Sequence, residues 1–391
     1  MGFLRDHQIS ERGKENMVMS RRAFIRKCLG GGTLALGAGP LLSSCSGVRR
    51  PQFKQSWFPV EEIPELDDQS VAILHYASLA PSGHNSQPWY VKKKGRFDWV
   101  IGADPARRLP AVDPQNRELL LSIGAFTENL SLAAGGYGYE LQVQVLASKP
   151  TDEEILKVVL KKEQGVAYPL NRIASRRTVR NGLKPGEIRK NDIEKLAKPL
   201  SPNFFYFPRG SEHGKCLTEW AIESFGDQTN RDEAQRELAS WIRFSDKEAK
   251  KYRDGLTPES MEITGFSGWW VRQLSGPEDV LKPGFRQQGI DGTAKIAREG
   301  GGWVIVTSPG EKVSDLIETG RNFEKMLLLA RDLNIAIHPM TQMLEEERWR
   351  NEISKQHGPK MIPQFVLRIG YLDKYPEPVS LRRPVSGFLR V

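Results

Sequence analysis

A run of long helix, stop and strand is written once into each half of this chain, and that repetition restricts the fold more than any other feature. An amphipathic helix is expected from about Arg117 to Gly135, with Leu119, Leu120, Ile123, Phe126, Leu130 and Ala134 on one stripe. Gly135-Gly136 ends it, and Leu141 to Leu146 then alternates as a strand. Leu316 to Leu333 repeats the design, with Asn334-Ile335-Ala336 near the place where the other helix has its stop. Each helix carries a glycine and, ten residues on, an alanine: Gly124 with Ala134, and Gly320 with Ala330. The pattern points to two half-copies.

Other elements fit around these helices. Val71 to Ala80 has helical spacing and stops at Pro81. Trp89-Tyr90-Val91 and Asp98-Trp99-Val100-Ile101 read as strands around a Lys-Lys-Gly-Arg turn. Trp303 to Val306 reads as a buried strand, and Gln364 to Tyr371 as a closing one. A polar stretch at about 225–300, holding Trp269-Trp270, has no counterpart in the first half; it is either a lid or a peripheral helical hairpin.

Composition excludes several function classes. The formal net charge is +9, of which the first 44 residues hold +4, with seven Lys/Arg against three Asp/Glu. The remaining +5 is a solvated surface, because no basic stripe with interleaved aromatics marks a nucleic-acid partner. Three cysteines argue against a disulfide framework, and Cys216 reads as structural. The histidines and cysteines show no metal-ligand spacing. No Gly-x-Gly-x-x-Gly follows a strand, and Ser82 is in no nucleophile elbow. His84 reads as a hydrogen-bonding or surface residue of its loop.

Two segments carry candidate chemistry. The first is Ala80-Pro81-Ser82-Gly83-His84-Asn85-Ser86-Gln87-Pro88-Trp89. The second is Arg176-Arg177-Thr178-Val179-Arg180. Clustered guanidinium groups are forked, permanently charged donors suited to a phosphate, and Thr178 adds a hydroxyl. These segments resemble the two parts of the flavin site in the nitroreductase family, in which the arginine-rich part normally comes first. The reversed order resembles the Acg-like branch, fused pseudo-dimers whose internal interface replaces that of a homodimer. The resemblance implies an α+β fold: a mixed, mainly antiparallel sheet flanked by helices, in two pseudo-symmetric halves at 67–168 and 169–391, the second holding the 225–300 insertion.

It further implies one FMN per chain. Arg176, Arg177, Thr178 and Arg180, with Arg382 and Arg383 of the tail, would hold the phosphate. Pro81 and Ser82 would meet the ring, Gly83 would let the backbone approach, and Asn85 would serve the pyrimidine edge or ribityl chain. Gln87 would anchor the loop to the sheet, and Pro339 and Met340 would pass over one ring face, the alternative being an ordinary helix-to-strand connection. No side chain is expected to be catalytic, since the flavin carries the reaction. The implied activity is two-electron reduction of a nitroaromatic, quinone or similar acceptor. The alternative is a flavin-sequestering or sensing lipoprotein with little turnover.

The N-terminus reads as an address. Ser20-Arg21-Arg22-Ala23-Phe24-Ile25-Arg26-Lys27 resembles a twin-arginine export signal, recognised through Arg21 and Arg22. The apolar stretch from Cys28 to Leu42 is too short and too glycine-rich to span a membrane comfortably. Leu42-Ser43-Ser44-Cys45 resembles a lipobox with Cys45 as the lipidated residue, followed by a flexible tether at 46–66. A periplasmic, lipid-anchored protein at the outer membrane is expected. That location leaves the electron donor open, because nicotinamide dinucleotides are cytoplasmic.

Overall fold

The computed structural model describes residues 47–50, 63–163, 168–357 and 362–391. The export signal and lipobox, with Arg21, Arg22 and Cys45, lie outside them. The first block of elements runs α1 (Asp68–Ala77), β1 (Trp89–Gly95), β2 (Asp98–Ala103), α2 (Arg117–Gly136), β3 (Tyr139–Val145) and β4 (Glu154–Lys162). The helices α3 (Leu170–Ser175) and α4 (Lys190–Ala197) lead to β5 (Phe204–Pro208). Six helices follow: α5 (Glu212–Asn230), α6 (Asp232–Trp241), α7 (Asp246–Tyr252), α8 (Gly265–Leu274), α9 (Pro277–Val280) and α10 (Pro283–Ala297). The chain then returns through β6 (Gly302–Thr307), α11 (Val313–Asp332), β7 (Ile335–Pro339), α12 (Gln342–Glu345), α13 (Glu347–His357), β8 (Pro363–Tyr371) and β9 (Leu389–Arg390).

The architecture is α+β, with two sheets that are antiparallel except at one edge. The first has the order β3-β4-β2-β1-β9 and the second β5-β6-β8-β7. When β1, β2, β3 and β4 are set against β5, β6, β7 and β8, the two orders coincide, and each block has one long helix between its second and third strands. The C-terminal β9 leaves the second block and pairs parallel with β1, Val91 opposite Leu389. One apolar cluster takes Trp89, Trp99 and Phe126 from the first block and Val304, Phe323 and Leu367 from the second. The central strand β6 is buried along its whole length, because Trp303 and Ile305 serve a second cluster beneath α5 and α13.

The two long helices make the junction. A Cβ on Gly124 would stand 2.2 Å from the Ile317 carbonyl oxygen, and one on Gly320 would stand 2.1 Å from that of Leu121. Each glycine thus meets the carbonyl three residues before the other, a reciprocal contact of the kind that two-fold symmetry produces. Only a residue without a side chain lets the backbones come this close.

Several expectations need correction. The first helix ends at Ala77, because Leu79 and Ala80 turn back onto the Tyr76 and Ala77 carbonyls. Strands β4, β5 and β9 were not anticipated. The last is too short for a periodicity and exists only through its partner. Residues 47–50, expected in a flexible tether, are packed: Val48 is buried, and Arg50 donates its amide to the Val379 carbonyl at 3.1 Å.

Gly124→Ala and Gly320→Ala should each destabilise the protein by about 1–3 kcal/mol in urea unfolding, since each overpacks the crossing. Gly226→Ala in α5, with nothing within 4 Å of the new methyl, should be neutral or stabilising.

Candidate functional site

The loop after α1 is shaped by strain and held by arginines. His84, Asn85 and Gln87 have φ of 50°, 53° and 51°, the left-handed region that costs non-glycine residues about 1–2 kcal/mol each. The turn is closed locally by the Ser82 hydroxyl, which accepts from the Gln87 amide at 3.0 Å. From outside, Arg176 donates Nη2 to the Leu79 carbonyl at 2.7 Å. Arg382 donates Nη2 to the Leu79 and Ala80 carbonyls at 3.1 and 3.0 Å, and Nη1 to Asn85 Oδ1 at 2.8 Å. Arg383 donates its amide to Gln87 Oε1 at 2.8 Å and its guanidinium to the Gln87 and Trp89 carbonyls. Segments remote in sequence (79–89, 176–180 and 381–383) therefore meet, and Pro81 and Ser82 stand half-buried at the meeting point.

Asn85 and Gln87 have their amides engaged within the chain. Asn85 Nδ2 donates to the Gly255 and Leu381 carbonyls at 2.9 and 3.3 Å, and Gln87 Nε2 donates to that of Arg253 at 3.0 Å. These amides fasten the loop to the tail and to the insertion. Gly83 faces the other way, towards a cleft lined by Ser86, Pro88, Leu109 and Glu118. Met340 is buried with Leu217, Trp303 and Val366, so its side chain belongs to the core rather than to a ring face. Pro339, at the end of β7, is half-buried.

The arginine-rich segment divides its charges. Arg176 points inward, with Nε 3.2 Å from Oε1 of the fully buried Glu324 of α11, at an angle too oblique for a hydrogen bond. Arg177 and Arg180 turn outward to the insertion. Glu262 accepts from Arg177 Nη2 at 2.6 Å, from the Arg180 and Asn181 amides at 3.1 and 2.8 Å, and from Asn181 Nδ2 at 3.0 Å. Arg180 Nη1 also donates to the Ser260 carbonyl at 2.6 Å. Thr178 is half-buried, and its carbonyl accepts from Arg177 Nε at 3.4 Å. The segment 253–262 thus runs from the 85–87 loop, where the Gly255 amide donates to the Asn85 carbonyl at 3.1 Å, to the arginine cluster. Asp254 holds it from below, accepting from Arg107 at 2.8 Å and Arg243 at 2.6 Å.

Among the described residues, positive charge exceeds negative charge here. Burial and the neighbouring Arg176 and Arg177 bring Arg50 down to about 9, against the pull of Glu377. Burial, Arg50 and Arg176 put Arg382 well below the usual guanidinium range. His75 falls to about 4 through burial and then repulsion from Arg50, Arg253 and Arg382. The buried Nε atoms of Arg50 and Arg382 donate to no acceptor among the described residues. The opposing carboxyl, Glu324, is pushed up by burial to about 7, so it is a weak counter-ion. Sequence reading missed Arg50, because Arg49-Arg50 looked like tether. It also missed Glu324 and Glu262, because nothing local marks their partners.

No family model matches the chain. Over 329 residues it is 24% identical to a probable NAD(P)H nitroreductase, PigM, of Serratia sp., covering 76% of this chain and 86% of that one. Over 327 residues it is 26% identical to Rv3131 of Mycobacterium tuberculosis, also named as an NAD(P)H nitroreductase, covering 80% and 89%. The chain is similar to NAD(P)H nitroreductases. A solved nitroreductase-like protein from Bacillus cereus is 13% identical, covering 56% of this chain and 94% of that one, with a TM-score of 0.28 that carries the comparison no further. The sequence similarity supports an oxidoreductase of nitroreductase type.

Glu324 makes a pH signature. Its folded pKa, about 7, lies above the ordinary carboxyl value of 4.5, so between those values the native state holds the extra proton and stability falls as pH rises. Glu324→Gln lacks this slope. Its urea midpoint should gain on that of the parent from about pH 4.5 to 7 and level off above. A constant difference across that window would remove Glu324 as the titrating group.

Proposed function

We propose that the chain is a fused pseudo-dimer of the nitroreductase family, and that it binds one FMN between its halves and reduces a small acceptor by two electrons. The observation that carries this reading is the unbalanced guanidinium cluster of Arg50, Arg176 and Arg382 beside the Pro81–Ser82 turn. Buried Nε donors without acceptors among the described residues, set among mutually repelling cations, fit a phosphate monoester. The reciprocal Gly124–Gly320 crossing and the matching strand orders support the pseudo-dimer.

FMN, when bound, supplies the two-electron chemistry, and the chain's residues position it. Arg50, Arg176 and Arg382 would receive the phosphate. Arg176 and Arg382 also fix the Leu79 and Ala80 carbonyls, which sets where Pro81 and Ser82 stand. Export through Arg21-Arg22 and lipidation at Cys45 belong to the same proposal, and they place the enzyme in the periplasm on a lipid anchor. Twin-arginine export suits a protein that must take up its cofactor and fold first. Among the described residues no helix is long and apolar enough to cross a membrane.

The second reading, flavin storage, is favoured by the 253–262 segment, which bonds to both motifs at once. One experiment separates the two. Purified protein should be yellow, and after anaerobic dithionite reduction a nitroaromatic or quinone should reoxidise it rapidly. Slow reoxidation supports storage, and a colourless folded protein overturns both readings. NADH or NADPH added alone tests whether the donor in the relatives' names serves here.

Glu262→Gln removes the charge that Arg177 and two amides share, a charge-assisted contact worth about 1.5–3 kcal/mol. Flavin should then dissociate roughly tenfold faster or more, followed by fluorescence after dilution. An unchanged rate would show that the segment does not restrain the cofactor.

A further inference from the structure

The place where the described chain begins is fixed by contacts. The Gly47 amide donates to Glu259 Oε1 at 3.1 Å. Val48 is buried with Ala249 of α7 and with Leu381. Glu259 is ion-paired with Arg272 of α8, whose Nε lies 3.9 Å from Asp246 of α7. Gly47 and Val48 are therefore clamped where α7 and α8 meet.

The outer sides of these two helices differ from the rest of the surface. In α8, Gly268 and Arg272 are buried, while Trp270 and Leu274, one turn apart, are 47% and 57% exposed. In α7, Ala249 is buried and Lys247, Lys250 and Lys251 are exposed, together with Tyr252 at 44%. Tyr252 and Trp270 are the two exposed large aromatic side chains among the described residues, one on each of these helices. Arg243 and Lys251 lie over the Tyr252 ring at 4.9 and 4.8 Å, and the apolar area that Trp270 and Leu274 expose is unfavourable in water. Tryptophan and tyrosine with flanking lysines are the side chains that settle at the boundary between acyl chains and anionic headgroups.

We propose that the α7–α8 face docks on an anionic phospholipid surface, the one to which the chain is anchored through Cys45. This rests on the lipid-anchor reading given above. Cys45 precedes Gly47 by two residues, which span at most about 7 Å of extended chain, so the anchored end reaches the bilayer beside this face. Trp270 and Leu274 enter the interface, and Lys247, Lys250 and Lys251 meet the headgroups. The 253–262 segment is the connection between the two docked helices, so docking holds both of its ends.

The test uses the full-length protein as isolated from membranes, reconstituted into phosphatidylethanolamine–phosphatidylglycerol vesicles, with and without brominated acyl chains. Bromine should quench part of the tryptophan emission, and Trp270→Phe should lose most of that quenching. Leu274→Cys carrying an environment-sensitive fluorophore should shift its emission to shorter wavelength on the same vesicles, giving an independent probe at a second exposed position. Quenching that is unchanged in Trp270→Phe, with no emission shift at position 274, overturns the docking face. The mass of the N-terminal peptide reports the anchor separately. An unmodified Cys45 with quenching retained would refute the anchor and keep the face; a lipidated Cys45 without quenching would do the reverse.

Discussion

The guanidinium of Arg382 holds the most consequential set of contacts in this molecule. From one buried side chain it bonds the Leu79 and Ala80 carbonyls, the Asn85 side chain and the Leu381 carbonyl. The loop it holds has three non-glycine residues in the left-handed region within four positions, a conformation that persists only when its surroundings over-determine it. Without Arg382, Asn85 Oδ1 loses its donor, and the tail is tied to the first block through the Asn85–Leu381 bond, Arg383 and the β9 pairing.

That arrangement explains the charge distribution of the site. Arginines that serve as braces must be buried, and buried cations require anions. The chain supplies Glu324 from α11, which burial itself drives towards the neutral form. Further out it supplies Glu262, from the insertion, to Arg177. Glu377 also draws on Arg50, and among the described residues positive charge around Arg50, Arg176 and Arg382 still exceeds negative charge. The residues that brace the fold are thus the same ones on which the proposed phosphate site rests.

The insertion shows where local reading reached its limit. Its helical character was legible as an alternative, because its charges and turn residues give short amphipathic helices. Its position was not, since Asp254 finds Arg107 and Arg243, and Glu262 finds Arg177, across gaps of 11 to 147 residues. Asn85 was similarly readable as a polar residue of the loop after α1. That its amide goes to Gly255 and Leu381 depends on segments 170 and 296 residues away. Strand β4 was missed although Ile155, Leu156, Val158 and Leu160 are buried, because two adjacent apolar residues at its start break the simple alternation.

By itself the sequence determined the repeated helix–stop–strand unit, with Gly124 and Gly320 in matching places, and the two motifs whose reversed order implied a fold closing on itself. Those are properties of residue type and spacing, which periodicity and backbone freedom fix locally. Only the tertiary structure decided that the two glycines pack against each other and that Arg50 joins Arg176 and Arg382. It also decided that Met340 is spent in the core and that the tail returns to the first sheet. Each of these depends on which distant group supplies the missing partner for a buried polar atom or an apolar face, and no local pattern encodes that partner.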